Sequence, residues 1–273
     1  MGIPTISERK HYRLVPGEPE ELTSTIVLTS KDSYFVDVRL FKDKLEEERG
    51  KDENTEACIQ WAFAGRSHAT PQGARKDGMI QLSHTVWDHW IDSKSNDPDK
   101  DEGDMWVQKN GDVLERGKNS NPETGEEIEY EELWHDLEVE SMGKKHNHSS
   151  VVMRAENSEK NLKGMVVKVG GWCQGIMKVG DELTVERWEH KLGSVSDNQQ
   201  EAVRVQQNGG WRTEKGRTRN DWIRTFKLGK GFLPCKDIVE ETSGKLGLNH
   251  VVKDHPNYWE SATEWRVLEE YHW

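Results

Sequence analysis

The stretch GMVVKVGGWCQGIMKVGDELTVERWE, residues 164–189, decides the fold class of this chain. It contains three short apolar runs, MVVKV, WCQGIMKV and LTVERW, which are separated by Gly170-Gly171 and by Gly180-Asp181. Val, Ile, Trp and Thr are enriched in β-strands, whereas Gly-Gly and Gly-Asp dipeptides are typical of turns. Apolar side chains in the first run recur with a period of two, as they do on one face of a strand. The stretch therefore predicts a three-stranded antiparallel meander.

Short alternating runs of the same kind lie upstream. Residues 23–29 and 34–41 predict a hairpin, and residues 57–64 predict the next strand. Residues 79–91, MIQLSHTVWDHWI, fit a helix by the four-residue spacing of their apolar side chains, and they also fit a strand. We favour the strand, because the run begins after Gly78 and lies between other strands.

Two segments carry weaker signals. Residues 1–22 are polar and contain three prolines, so they predict an irregular lead-in. Residues 238–239 predict a short strand.

The strand-like runs fall into two groups on either side of a polar linker at residues 142–150. About eight short strands in each half, with few helix signals, are typical of antiparallel barrels. The sequence thus predicts an all-β protein with two antiparallel β-barrel domains, residues 1–142 and 149–273, and long polar loops.

Composition restricts the class of protein. The chain is 33% hydrophobic and 32% charged, with a net charge of −12, and its 12 Trp residues argue for folded cores despite this polarity. The strongest basic cluster, residues 212–219, is too small to offset that charge, so we expect no nucleic-acid partner. Three widely spaced cysteines indicate a reducing compartment. No apolar run is long enough to predict membrane insertion.

Several blocks carry a resemblance to a known family. They are QWAFAG (residues 60–65), residues 110–117, YEELW (130–134), GMVVKVGGWCQGIM (164–177), TVERWE (184–189) and WRVLEEYH (265–272). In this order they resemble the fungal Hri family, which is named for interaction with a casein kinase I homologue. The resemblance implies two lipocalin-like barrels, a cytoplasmic and possibly also nuclear location, and a protein kinase of the casein kinase I class as partner. It implies no enzymatic activity and no catalytic residues.

The residues themselves favour the same non-enzymatic interpretation. The sequence has no nucleophile elbow and no glycine-rich phosphate loop. His84 and His89 lie five residues apart in a predicted strand, so they point to opposite faces and cannot share a metal ion. We predict no catalytic residues, no metal site and no cofactor, and we leave the oligomeric state open.

An alternative function is an intracellular carrier of a small apolar molecule inside one barrel. Seven residues could line such a cavity: Trp61, Phe63, Trp87, Trp172, Gln174, Arg187 and Trp265. Gln174 or Arg187 would then supply a polar handle. The competing interpretation, that the tryptophans simply fill small barrels, is the one we favour.

Two hydroxyls match the preference of a casein-kinase-like enzyme for an acidic residue upstream. Thr55 follows Asp52 by three positions, and Ser141 follows Glu138 by three positions. A phosphate in either acidic segment would tend to extend it. Both are hypothetical phosphorylation sites.

Overall fold

The first half of the chain forms a closed antiparallel barrel. A computed structural model describes residues 2–98, 100–120, 125–141, 148–192, 203–207, 210–214, 220–240, 246–253 and 263–273. The strands of the first half are β1 (Thr5–Leu14), β2 (Thr23–Thr29), β3 (Tyr34–Phe41), β4 (Ile59–Pro71), β5 (Arg75–Lys76), β6 (Met79–Asp92), β7 (Asp101–Val107), β8 (Val113–Ser120) and β9 (Glu127–Asp136). They pair in the order β4-β3-β2-β1-β9-β8-β7-β6-β5, and pairing between β4 and β6 closes an eight-stranded ring.

The predicted irregular lead-in is wrong, because its centre is the strand β1. Residues of β1 pair with β2 on one side and with β9 on the other, with a bulge between Arg9 and His11. The inward face of β1 carries the charged side chain of Arg9, because the barrel interior is polar at this position. Its neighbours, rather than its own hydrophobicity, make it a strand.

The second half forms a separate antiparallel sheet. Its strands are β10 (Ser149–Asn157), β11 (Leu162–Val169), β12 (Trp172–Val179), β13 (Glu182–Leu192), β14 (Val203–Gln207), β15 (Gly210–Glu214), β16 (Asn220–Leu228), β17 (Val251–Lys253) and β18 (Glu264–His272). Seven of them pair in the order β16-β13-β12-β11-β10-β18-β17, and β14 pairs with β15 as a separate hairpin. The all-β fold class is confirmed. Within the described residues, only the first sheet closes into a barrel.

The predicted meander is confirmed as β11, β12 and β13, which pair in unbroken register. Gly170 and Gly180 adopt φ values of 50° and 59° in the two turns, a region that glycine enters without steric cost. Residues 79–91 are also confirmed as a strand, β6. Most of the predicted linker and most of the basic cluster, residues 142–147 and 215–219, lie outside the described residues.

The outer wall of the barrel packs against one face of the second sheet. The shared core includes, from β2, β3 and β4, Ile26, Leu28, Val36, Val38, Leu40, Ala62 and Ala64, and from the second sheet Val152, Met165, Val167, Val169, Ile176, Val185 and Phe226. All of these side chains are buried. One continuous core therefore joins the two halves.

The opposite face of the second sheet is covered by the short helix α2 (Cys235–Glu240) and the residues before it. Ile238 and Val239, predicted as a strand, belong to this helix. With Cys235 they occupy positions i, i+3 and i+4, which lie on one helix face, and all three are buried. The other helix, α1 (Lys42–Glu47), buries none of its residues. No helix in the described part of the chain is long and apolar enough to span a membrane.

Candidate functional site

The interior of the barrel contains a network of buried charges. Arg9 on β1 and Arg39 on β3 both donate to the same carboxylate oxygen, Glu132 Oε1 on β9, at 2.6 and 3.0 Å. Arg9 also binds Glu21, with Nε 2.7 Å from Oε2, and Arg39 binds Asp37, with Nε 2.9 Å from Oδ2. Buried ion pairs are stable only when the partners satisfy one another closely, and these side chains do so except at Asp37 Oδ1, which is buried without a hydrogen-bond partner among the described residues.

Burial and neighbouring charges shift the pKa values of this network in opposite directions. Burial raises the pKa of Asp37, and the guanidinium of Arg39 opposes this shift only in part. Burial alone would lower the pKa of Arg39, but the carboxylates of Asp37 and Glu132 outweigh it and raise that pKa. Arg39 therefore stays charged and holds the interior together.

A second group of polar side chains lies on the β8–β9 side of the barrel. Glu115 accepts hydrogen bonds from the Tyr130 hydroxyl at 2.8 Å and from the Trp134 indole N–H at 2.9 Å. Burial raises the pKa of Glu115 to about 8, and the neighbouring carboxylates of Glu132 and Asp101 add to the shift. At neutral pH this carboxyl is largely protonated, which limits the repulsion among the buried acids.

Close packing leaves no room for an added side-chain atom on this wall. A Cβ atom on Gly117 would come within 2.5 Å of the Tyr130 ring, and one on Gly103 would lie 2.9 Å from Glu115 Cγ. Glycine at these two positions lets Tyr130 and Glu115 lie flat against the strands. The interior wall is thus occupied by the protein's own side chains.

An aromatic cluster lies beside the charges on β4 and β6. The Trp61 and Phe63 ring centroids are 4.4 Å apart, and the Phe63 and His89 centroids are 4.2 Å apart. The Asp92 carboxylate binds both Trp61 Nε1 and His89 Nδ1 at 3.0 Å. Burial alone would raise the pKa of Asp92, but these bonds and the backbone N–H of Lys94 lower it.

A separate polar contact joins the two halves. Arg187 on β13 donates to Gln174 Oε1 at 2.8 Å, to Ser24 Oγ at 3.0 Å and to the Val38 carbonyl at 2.6 Å. Gln174 on β12 donates to the carbonyl of Ile26 at 3.0 Å. Both side chains are buried, and burial lowers the pKa of Arg187 to about 10. They connect the second sheet to β2 and β3 rather than pointing into a cavity.

The seven residues predicted to line one cavity fall in different places. Trp61 and Phe63 lie together in the barrel, whereas Gln174 and Arg187 lie between the halves. Of the other three tryptophans, Trp87 shares the inward face of β6 with His89, Trp172 packs beside the shared core, and Trp265 is fully buried on the far face of the second sheet. The structure does not bring the set together.

Sequence reasoning missed the charged members of the interior network. Asp37 and Arg39 alternate with Val36, Val38 and Leu40 in β3, a pattern that predicts a half-buried strand with its polar face in water. In the structure both faces are buried, because the apolar face packs on the second sheet and the polar face points into the barrel. The adjacency of opposite charges at i and i+2 was the available signal.

His84 and His89 lie at separate places on β6. His84 Nδ1 lies 2.9 Å from Asp104, while His89 stacks in the barrel interior, so the two do not share a site. Within the described residues, no group of three or more His, Cys, Asp or Glu side chains is arranged to hold a metal ion.

The wide spacing of the cysteines in the sequence did not predict that two of them, Cys173 and Cys235, are in contact. Cys173 on β12 and Cys235 at the start of α2 are buried free thiols. Burial, together with a hydrogen bond to Cys173, raises the pKa of Cys235 well above its ordinary value. A thiol with a raised pKa is a poor nucleophile, so this pair fits core packing rather than catalysis.

The two hypothetical phosphorylation sites differ in accessibility. Thr55 is exposed, and its hydroxyl donates to Glu48 Oε1 at 2.8 Å while its backbone N–H donates to Glu48 Oε2 at 2.9 Å. The hydroxyl oxygen of Ser141 is buried and has no hydrogen-bond partner among the described residues. A kinase could reach Thr55 in the folded protein, but not the Ser141 hydroxyl as it stands.

Comparisons with known proteins agree with this fold. The model of the family described as Protein HRI1 matches residues 5–269. Protein HRI1 of Kluyveromyces lactis is 24% identical over 192 residues, covering 63% of this chain and 73% of that protein. Protein HRI1 of Saccharomyces cerevisiae is 22% identical over 206 residues, covering 67% and 78%. The crystal structure of an uncharacterized protein of Saccharomyces cerevisiae, YLR301w, has a TM-score of 0.64 at 18% identity, covering 99% of this chain and 100% of the other.

Proposed function

This chain belongs to the HRI1 family, and on that basis we propose that it is a non-enzymatic protein-interaction protein whose partner is a kinase of the casein kinase I class. The observation that carries the proposal is the charged interior of the barrel. Arg9, Arg39 and Glu132 bind one another there, and Tyr130 packs flat against Gly117. With the interior wall occupied in this way, the outer surfaces are left as the places for recognition.

The alternative function, a carrier of an apolar molecule, gains no support from the same observation. An apolar ligand in the barrel would have to displace water or side chains from buried carboxylates and guanidiniums, which costs free energy because their hydrogen bonds are lost. Lipophilic pockets are lined mainly by apolar side chains with few polar groups. The interior of this barrel combines an aromatic cluster around Phe63 with a network of buried charges around Glu132, and an apolar ligand could not replace the hydrogen bonds of that network.

Binding to a purified casein kinase I class kinase tests the proposal directly. We expect a stable complex in biolayer interferometry with the full chain immobilised, and no new catalytic activity from the chain alone. A kinase of another class, at the same concentration, is the control. Absence of any complex with the casein kinase I class enzyme, in either orientation of the assay, contradicts the proposed partner.

Native mass spectrometry tests the carrier alternative. Protein purified from its own host should carry no stoichiometric small-molecule adduct if its own charged side chains, rather than a ligand, fill the barrel. A reproducible adduct that is removed by organic solvent would favour the carrier instead.

The proposal includes a cytoplasmic, and in part nuclear, location, as expected for access to such a kinase. Fluorescent tagging at either terminus checks it. A secreted or membrane-enclosed signal would contradict it.

A further inference from the structure

A pocket of about 570 Å³ lies on the outer wall of the barrel, away from the interior network. Its floor is formed by β1, β8 and β9, where Leu114 and Arg116 alternate with the inward-facing Glu115. The turn between β5 and β6, at Asp77 and Gly78, and the turn between β7 and β8, at Lys109, border it. Its volume lies within the range of pockets that take specific ligands, roughly 300–1,000 Å³.

Two guanidiniums in this pocket share one carboxylate. Arg13 Nε lies 2.7 Å from Glu131 Oε2, and Arg116 Nε lies 2.8 Å from Glu131 Oε1. The Glu131 side chain is 10% exposed, whereas those of Arg13 and Arg116 are 35% and 31% exposed. Arg13 Nη2 also binds Glu131 Oε2, so Nη1 of Arg13 and both terminal nitrogens of Arg116 are the donors left, within the described residues, for a second anion.

A third cation stands at the rim without a counter-ion. No carboxylate in the described part of the chain lies within salt-bridge distance of Lys109. Asp77 also lines the pocket, so its three cations, Arg13, Arg116 and Lys109, exceed its two carboxylates, Asp77 and Glu131, by one charge, whereas the whole chain has a net charge of −12. A pocket with an excess of positive charge favours an anionic ligand over a cationic one.

The surrounding surface extends the same chemistry beyond the pocket. Arg75 and Lys76 on β5 are exposed and close to Met79, which pairs with Lys76. On β6, Ile80 is 36% exposed and Leu82 is 48% exposed. Cations next to exposed apolar side chains along a strand favour binding of an extended segment that carries both acidic and apolar side chains. A small anion would not span this surface.

We propose that this basic pocket and the adjoining β5–β6 hairpin bind an acidic peptide segment of a protein partner, with one carboxylate or phosphate group between Arg13 and Arg116. The inference rests on the proposed interaction function and names the surface and the chemistry of the segment it recognises. Apolar residues of the same segment would cover Met79 and Leu82.

Fluorescence anisotropy with a labelled heptapeptide of alternating Glu and Leu tests this site in the full chain. We expect saturable binding that weakens with added salt, and no binding of the peptide in which Gln replaces every Glu. The variant Lys109→Gln should weaken binding roughly threefold to tenfold, because it removes an unpaired cation at the rim. Lys230→Gln, which removes an exposed lysine of the second half, is the matched control and should leave binding unchanged.

Three results would overturn the inference: equal binding of the Gln peptide, equal effects of the two lysine variants, or binding of inorganic phosphate with no binding of the peptide. Thermal unfolding of Lys109→Gln should match that of the unsubstituted chain, since Lys109 is exposed. The kinase assay separates the two proposals. Kinase binding without peptide binding would contradict this site but not the proposed function. Peptide binding without kinase binding would contradict the proposed partner but not this site.

Discussion

At the scale of single residues, some ionisable side chains are buried at positions where folding changes their pKa. Glu115 is the clearest case, since it is buried beside Glu132 and Asp101 and accepts hydrogen bonds from Tyr130 and Trp134. Its pKa of about 8 in the folded chain exceeds the ordinary value of 4.5. The folded state therefore holds this proton over a pH range in which the unfolded state has released it.

The sign of the resulting pH dependence follows from linkage. Because the folded pKa is raised, the stabilisation is fully present below about pH 4.5 and is lost as the pH rises to about 8. Replacing Glu115 by Gln should remove this dependence, so the variant gains stability relative to the original chain across that window, on the order of a few kcal/mol at its upper end. Urea unfolding at pH 5, 7 and 9 measures the difference. Glu129→Gln, an exposed change on β9, is the control, and a pH-independent difference for Glu115→Gln would contradict the assignment.

At the scale of single elements, the sequence predicted strands well where one face is apolar. The meander of β11, β12 and β13 has that character, as does the hairpin of β2 and β3. β1 was missed because its inward side chain, Arg9, is charged and its strand character comes from pairing with neighbours on both sides. Periodicity can locate a polar face, but it cannot say whether that face meets water or the inside of a barrel.

The seven cavity candidates failed to converge for a related reason. Gln174 and Arg187 are adjacent across β12 and β13, so their proximity to each other could be predicted from the meander. Their partners on β2 and β3 are about 140 to 160 positions away in the chain, and no local pattern specifies that contact. Gly175 lies in regular pairing on both sides. A Cβ there would come within 2.8 Å of Val166 and 3.0 Å of Cys235.

The segment between α1 and β4 is an element whose stability depends on one carboxylate. Glu48 binds Thr55 through both the hydroxyl and the backbone N–H, and it accepts a 3.2 Å hydrogen bond from the Cys58 thiol. These bonds lower the pKa of Glu48 to about 2. Asn54 in the same segment bonds to Lys227 on β16, with its backbone N–H 2.7 Å from the Lys227 carbonyl. The segment thereby connects the barrel to the edge of the second sheet.

A negative charge on Thr55 should open this connection. Thr55→Val, which removes only the hydroxyl bond, should cost about 1 kcal/mol of unfolding free energy. Thr55→Glu should cost more, because a second carboxylate then faces Glu48, and phosphate on Thr55 should act in the same direction. Hydrogen exchange should show faster exchange of Asn54 and of the β16 edge. Thr70→Glu, at an exposed position of β4, is the control, and equal exchange in the two Glu variants would contradict the mechanism.

At the scale of the whole molecule, we expect the shared core to make the two halves a single cooperative unit. The apolar wall of β2, β3 and β4 would be exposed to water if the second sheet came away, and burial of such apolar surface is the main favourable contribution to folding. Arg187 adds specificity to this interface, since its hydrogen bonds reach Ser24 and Val38 in the barrel. We therefore predict that the two halves unfold together, in one step.

Replacing Arg187 by Met tests that cooperativity. The substitution removes several hydrogen bonds to barrel acceptors but also removes the cost of a buried charge, so we expect a net loss of about 2–4 kcal/mol of unfolding free energy. Hydrogen exchange measured across a urea series should show peptides from β3 in the barrel and from β11 in the second sheet losing protection at the same midpoint, both before and after the substitution. Arg49→Met is the matched control, because the Arg49 side chain is 78% exposed and forms an ion pair on the surface with Glu46. If β11 lost protection at a lower urea concentration than β3 in either chain, the halves would be independent folding units, and the shared core would be only a contact between them.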